Sequence, residues 1–289
     1  MSSAGHENIF EAKDYHLPAT LNSGQAFRWT RNGDDWEGVV HGHWVRLRQQ
    51  GGRIIACTAV PQADWRWLAN YLQVGVNLDP ILAAFPQDET MRAAVEHCRG
   101  LRLLRQDPWE CLASFILSST KQIVQIRQIV ATLCVRWGAP VPTLPGAPAA
   151  HAFPSAETLA QVSEAELRLC KAGFRAPYLL ATARKVAAGG IDLNELRNLP
   201  MAEAREELIQ LPGVGGKIAD CVLLFACGFP TAFPVDVWML KVLRQFYFKR
   251  RRLTPARLRE LAAAHFGPQA GYAQQYLFHW IRHQKELCA

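Results

Sequence analysis

In Leu211-Pro212-Gly213-Val214-Gly215-Gly216-Lys217, three glycines and a proline separate two runs of helical character, AEAREELIQ (202–210) and KIADCVLLFAC (217–227). The stretch is expected to be a tight hairpin joining two helices. Glycines let the backbone turn sharply and bring the N–H groups at the start of the second helix directly against an anion. With no side chain able to read a base, a hairpin of this kind holds nucleic acid by its phosphates and carries no sequence information. The same geometry also serves as a purely structural αα-hairpin. Lys217 has two readings as well: a point charge beside phosphate, or an amine poised for covalent chemistry.

The second reading of Lys217 needs a partner. Asp236, in Pro234-Val235-Asp236-Val237-Trp238, lies 236 − 217 = 19 residues downstream. It is suited to N-cap the helix VWMLKVLRQF (237–246). A capping carboxylate is fixed in orientation, which a catalytic carboxylate also requires.

Around this hairpin the chain is helical. Asp79-Pro80, Asp107-Pro108 and Thr254-Pro255 each offer a cap followed by proline at the first helical position. Ile123, Ile126, Val130, Leu133 and Trp137 form an apolar stripe that stops at Gly138. Ser163 and Glu166 make a capping box, Gly173 and Gly189 stand where C′ residues belong, and Gly267 ends the helix begun at Thr254. Residues 138–154 hold Pro140, Pro142, Pro145, Pro148 and Pro154, so they are expected to form a loop inside the helical part. Earlier in the chain the period differs. FRWT (27–30), WEGVV (36–40), WVRLR (44–48) and IIACTAV (54–60), separated by NGDD, HGH and QQGG, predict an antiparallel meander. The expected class is therefore α+β, with an N-terminal α+β domain over residues 1–95 and a helical domain over 96–289.

Composition narrows the function. The 289 residues carry 32 Lys plus Arg against 25 Asp plus Glu, a net charge of +7 that favours an anionic partner. With 49% hydrophobic residues the chain has the material for a core, which excludes a disordered or fibrous protein. The apolar stretch between Asp220 and Asp236 is broken by Gly228, Pro230 and Pro234, and residues 1–17 hold no apolar secretory core; a cytoplasmic protein without a membrane span is expected. The eight cysteines (57, 98, 111, 134, 170, 221, 227 and 288) contain no CxxC pair, so free thiols are expected rather than a zinc site or an iron–sulfur cluster.

LPGVGGKIADC followed by PVDVWM resembles the helix-hairpin-helix DNA glycosylases. LNSGQAFRW (21–29), DPWECLASFILSS (107–119), GFRAPY (173–178) and GYAQQYLF (271–278), in that order, resemble the 8-oxoguanine DNA glycosylase/AP lyase family in particular. The resemblance covers most of the chain. It implies that Lys217 attacks C1′ of a damaged nucleotide, forms a Schiff base and permits β-elimination, in base excision repair. Asp236 then stabilises the positive charge that develops on the sugar. It implies a flipped 8-oxoguanine sandwiched between Phe278 and Cys221, hydrogen-bonded at its Watson–Crick edge by Gln274 and at N7–H by the carbonyl of Gly24. Gln274 and Phe278, four apart on one helix, share a face. Phe174 is implied as the wedge filling the vacated stack, Arg175 as a contact to the orphaned base, and Gly213 and Gly215 as phosphate contacts. A structural cation on the carbonyls of Ile209, Leu211 and Val214 is implied at the hairpin, with no cofactor required for catalysis. The implied partner is double-stranded DNA containing 8-oxoguanine, met by a monomer.

Four departures from the family pattern stand out. Thr120-Lys121-Gln122 replaces the asparagine run of animal and fungal members, and Gln125 replaces an arginine that reads the orphan cytosine. Losing one such contact weakens opposite-base discrimination by about 1–3 kcal/mol, so a permissive enzyme is expected. Trp238 and Ile281 replace a polar pair together, which leaves neither member buried alone. Two other enzyme branches fit less well. Those related to endonuclease III and adenine glycosylase carry a C-terminal four-cysteine cluster, whereas only Cys288 follows Cys227 here, and the alkylated-base branch lacks the hairpin lysine. Having Lys217 and Asp236 together disfavours a third alternative, a non-catalytic DNA-binding module that keeps the hairpin for phosphate contact alone.

Overall fold

The computed structural model describes residues 5–248 and 253–284; Cys288 lies outside them. The N-terminal part is an antiparallel sheet of β1 (His6–Glu11), β2 (Thr30–Asn32), β3 (Asp35–Val40), β4 (His43–Gln50) and β5 (Arg53–Thr58), in the spatial order β1-β5-β4-β3-β2. Tight turns at Gly33-Asp34, His41-Gly42 and Gly51-Gly52 connect β2 through β5. At the middle turn both residues take positive φ, 48° for His41 and 77° for Gly42, as the twist of a two-residue hairpin demands.

Two sequence expectations change here. β1 pairs with β5 along its whole length and was not anticipated, because of its six residues only Phe10 is buried and no alternation shows. Phe27, Arg28 and Trp29 stay out of the sheet, because β2 starts only at Thr30. Trp29 instead turns inward, fully buried, and donates its indole N–H to Tyr71 Oη at 2.9 Å.

One face of the sheet is sealed by α1 (Leu17–Asn22) and α2 (Arg66–Leu72), with Leu17, Leu21, Leu68 and Leu72 packed on Val45, Leu47, Ile54 and Ala56. The other face is covered by the proline-rich segment. That segment is a loop, as expected, stiffened by β6 (Pro140–Val141) pairing with β7 (Ala150–His151), and Val141 and Leu144 pack on Val39, Trp44 and Cys57.

Next come α3 (Asp79–Ala83), α4 (Glu89–Cys98), α5 (Pro108–Leu117), α6 (Ile123–Trp137), α7 (Ala156–Ala160), α8 (Glu164–Leu169), α9 (Ala176–Ala187), α10 (Met201–Ile209), α11 (Gly216–Val222), α12 (Val237–Val242), α13 (Pro255–Phe266) and α14 (Ala270–His283). They enclose a second core; residues 95 and 96 both lie within α4, whose Met91, Ala94 and Cys98 belong to it. The Asp107, Ser163, Asp236 and Thr254 caps form as expected, each accepting a backbone N–H three residues on. Two caps shift. Asp79 occupies the first helical position behind Leu78, and the C′ place after α8 falls to Lys171 (φ 64°), while Gly173, also at positive φ (61°), opens a 3₁₀ turn, Gly173–Arg175. No helix among the described residues is long and apolar enough to cross a membrane.

The hairpin joins α10 to α11, and α11 is buried from Ile218 to Val222. Among those residues is a fully buried carboxylate, Asp220. Its Oδ1 accepts from Arg205 Nε at 2.9 Å and Nη2 at 2.5 Å, and Arg259 Nε of α13 stands 3.5 Å from Oδ2. Breaking a buried ion pair from one side leaves uncompensated charge and costs about 3–5 kcal/mol. Asp220→Ala is thus expected to lower Tm by roughly 10 °C, as read by circular dichroism; an unchanged Tm would show that the pair does not hold the hairpin.

Candidate active site

A cleft of about 770 Å³ opens between α5, α6, α11 and α14, with Gly24 in its wall. Lys217, in the first turn of α11, is half-buried at its edge, and Cys221, one turn on, shares its face. Lys217 Nζ donates to Ser118 Oγ at 3.0 Å, while the Ser118 hydroxyl donates to the Phe115 carbonyl at 2.7 Å. The ammonium also stands 4.8 Å from the centroid of the Phe115 ring. Phe115 stacks on Phe225 and meets Phe27 edge-on, which gives the cleft an aromatic floor.

Asp236 enters the same cleft from the start of α12. Its Oδ1 accepts the Met239 N–H at 2.8 Å, so the cap holds one carboxylate oxygen still. Burial raises the carboxyl above the ordinary aspartate range, while the Met239 and Trp238 N–H groups and the charges of Lys217 and Arg282 oppose that shift. Burial pushes the Cys221 thiol up to about 12, so it stays neutral. It is an apolar wall beside Lys217, not a second nucleophile.

On α14, Gln274, Phe278 and Arg282 are spaced four apart and all line the cleft. Gln274 is only 4% exposed, and its Oε1 is buried with no hydrogen-bond partner among the described residues. An amide oxygen left open in this way fits a ligand that offers an N–H. The Arg282 guanidinium lies 5.2 Å from the Phe278 ring centroid.

Gly24 sits opposite with φ 83°, and a Cβ there would come within 2.5 Å of Ile123 Cδ1 and 3.3 Å of Phe278. Its neighbours are pinned on both sides. Gln275 Nε2 donates to the Ser23 carbonyl at 3.2 Å; fully buried Gln25 donates to the Thr20 and Arg102 carbonyls at 2.9 and 2.8 Å and accepts the Leu104 N–H at 2.8 Å. The Gly24 peptide is therefore fixed at the cleft wall by residues far away in sequence.

At the hairpin, Gly213 takes φ 76° and passes so close to Tyr178 that a Cβ would lie 2.7 Å from its ring. Gly215 differs: it is the extended N-cap of α11, and a Cβ there would meet nothing within 4 Å. Nothing inside the protein demands glycine at 215. Lys185 and Thr182 hold the Gln210 and Pro212 carbonyls at 3.4 and 3.1 Å, and the Leu211 carbonyl accepts the Val214 N–H at 3.1 Å.

The remaining sequence candidates are spread between the surface, the cleft and the core. Phe174 is 54% exposed. Arg175 is not: at 2% exposure it donates to Thr120 Oγ1 at 2.6 Å, to the Ala172 carbonyl at 3.2 Å and to the Ser119 carbonyl, over the Phe174 ring. Those bonds hold Thr120 at φ 57°, a strained position for a β-branched residue. Lys121 and Gln122 line the cleft, and Gln125 is exposed, its Oε1 accepting the Gln122 N–H at 3.2 Å. Trp238 lines the cleft as well, whereas Ile281 is buried in the helical core. Sequence reasoning missed Phe115, Ser118 and Arg282 as site residues. Arg282 was accessible through its four-residue spacing from Phe278; Ser118 meets Lys217 across 99 residues, with no local signal.

A helical domain built around this glycine-rich hairpin, with Lys217 from α11 and the capping Asp236 of α12 in one cleft, has the helix-hairpin-helix architecture, and the profile of the HhH-GPD superfamily base excision DNA repair proteins matches residues 113–267. The 8-oxoguanine DNA glycosylase N-terminal domain profile matches residues 9–112, so the chain belongs to the 8-oxoguanine DNA glycosylase family. It is 33% identical to the N-glycosylase/DNA lyase OGG1 of Arabidopsis thaliana over 279 residues, 91% of this chain and 76% of that one. The N-glycosylase/DNA lyase of Saccharomyces cerevisiae is 35% identical over 80% of this chain and 68% of its own length. Among solved structures, the 8-oxoguanine glycosylase/lyase of Clostridium acetobutylicum bound to duplex DNA with cytosine opposite 8-oxoguanine superposes with a TM-score of 0.90 at 28% identity, covering 97% of this chain and 98% of that one.

If ionised Asp236 supports the reaction, its raised carboxyl sets the acid limb of kcat/KM above the ordinary aspartate value of about 3.9. Asp236→Asn keeps a capping group, removes the charge and is expected to lower kcat about 10²–10³-fold. Because a raised carboxyl pKa makes the folded state less stable as pH rises through it, this variant's Tm at pH 7 should equal or exceed that of the wild type. An acid limb at the ordinary carboxylate value, or one unchanged in Asp236→Asn, would contradict the assignment.

Proposed function

We propose that the protein is a bifunctional DNA glycosylase and AP lyase that excises 8-oxoguanine from duplex DNA. The observation that carries this reading is the convergence of Lys217, Asp236 and the open amide oxygen of Gln274 on one cleft. Duplex DNA meets the exposed turn at Gly213 and Gly215, where the N–H groups opening α11 face the phosphates. A cation on the carbonyls of Ile209, Leu211 and Val214 would complete that contact, and no cofactor takes part in the chemistry. Phe174, already exposed, enters the space that the flipped nucleotide leaves.

The purine then lies between Phe278 and Cys221, gives its Watson–Crick N–H to Gln274 and reaches the fixed carbonyl of Gly24 with N7–H. Guanine lacks that hydrogen, so the carbonyl would face a lone pair and guanine is disfavoured. The Lys217 amine forms a bond from Nζ to C1′ as the glycosidic electrons leave with the base, which takes up a proton, and the fixed carboxylate of Asp236 stabilises the charge building on the sugar. The Nζ lone pair then expels O4′ from C1′, opening the sugar ring to the Schiff base with O4′ taking up a proton, and loss of a C2′ proton drives the β-elimination that breaks the 3′ C–O bond and releases the phosphate.

Opposite-base selectivity is expected to be weak. Gln125 is tied to the Gln122 backbone, and Arg175 reaches an orphaned base only by releasing Thr120 and the Ser119 carbonyl. On duplexes carrying 8-oxoguanine opposite each of the four bases, excision rates should fall within about tenfold of one another, a spread below ~1.4 kcal/mol. Lys217→Gln should lose both excision and strand cleavage. A wild type that leaves all four duplexes intact would refute the substrate, and a preference for cytosine beyond a hundredfold would refute the account of Gln125 and Arg175.

A further inference from the structure

On the face of α14 adjoining the one that lines the cleft, three imidazoles converge. His279 and His283, four apart, share a face of α14, and His97 faces them from the last turn of α4. Their ring centroids lie 4.5, 5.2 and 5.5 Å apart, and one nitrogen from each falls within 4.8 Å of the others. His279 is 94% buried by its 6% exposure, yet its Nδ1 has no hydrogen-bond partner among the described residues. The Nδ1 of His283 stands 2.7 Å from the His279 carbonyl. A carbonyl only accepts, so that nitrogen carries the proton and the Nε2 lone pair of His283 is left open, the tautomer in which ligating histidines are usually held.

We propose that His97, His279 and His283 bind one divalent metal ion of the zinc, cobalt or nickel type. An all-imidazole set suits these borderline ions and not magnesium or calcium, which require oxygen ligands. Zn–N bonds of about 2.0–2.1 Å in tetrahedral geometry place the nitrogens about 3.4 Å apart. His97 and His283 are exposed and have room to make that closure, with the fourth position left to water. The ion clamps the end of α4 to the last turn of α14, whose adjoining face presents Gln274, Phe278 and Arg282 to the cleft. The site is independent of the substrate the cleft takes.

The test uses the full chain stripped with a chelator, kept reduced, and titrated with Zn²⁺ by equilibrium dialysis and with Co²⁺ by visible absorption. One Zn²⁺ per chain is expected, with Tm rising about 5 °C at a hundredfold excess over Kd. His97→Ala and His283→Ala, both at exposed positions, should leave the metal-free Tm unchanged and weaken Kd about tenfold or more. Bound Co²⁺ should show tetrahedral visible bands without a thiolate charge-transfer band. Absence of stoichiometric binding, an equal Kd in both variants, or a thiolate band would overturn the proposal.

Discussion

Asp220 is a carboxylate with no exposure to water, and its ion pairs with Arg205 and Arg259 are what the site geometry depends on. α11 has to enter the core to bring Cys221 against the aromatic floor, yet its first turn must stay at the surface with Lys217. A helix buried on every side from Ile218 to Val222 could slide or rotate among apolar neighbours, since apolar contacts are not directional. A charge that must meet two arginines from two other helices permits one position only. The registry of α10, α11 and α13 follows from that requirement, and the hairpin turn follows from the registry.

A second constraint comes from the other end of the chain. The wall opposite Lys217 is a single peptide at Gly24, and an isolated glycine peptide would be the most mobile part of any pocket. Here Gln25 spends its whole amide on the Thr20, Ser23, Arg102 and Leu104 groups, and Gln275 of α14 takes the Ser23 carbonyl. Buried amides of this kind are costly unless fully paired. Fully paired, they lock the N-terminal sheet domain to the helix that carries Gln274 and Phe278. The cleft is thus lined almost wholly by the helical core, with the Gly24 peptide brought to it from the N-terminal domain.

Features set by neighbours in sequence were legible before any coordinates: the hairpin, the four caps at Asp107, Ser163, Asp236 and Thr254, the stripe of α6 and the β2–β5 meander. So was the α+β class. β1 was not, because an edge strand with one buried side chain has no period to detect. α8 ends two residues sooner than the glycine implied, so its C′ place falls to Lys171, while Gly173 takes a positive φ of its own to open the turn that follows. At the site, the lysine, the aspartate and the α14 pair could be read from motif and spacing, but the hydroxyl that holds Lys217, the pins around Gly24 and the inward turn of Arg175 could not. Each of these joins residues tens to hundreds of positions apart, a relation that only the folded chain contains.

In the proposed mechanism the hairpin brings one particular amine, that of Lys217, to the reacting carbon. This placement is tested most directly by reducing the complex formed on an 8-oxoguanine duplex with borohydride, digesting it and locating the sugar-bearing residue by mass spectrometry. The account predicts a single adduct, on Lys217. An adduct on any other amine, or base excision that proceeds with no adduct at all, would contradict it.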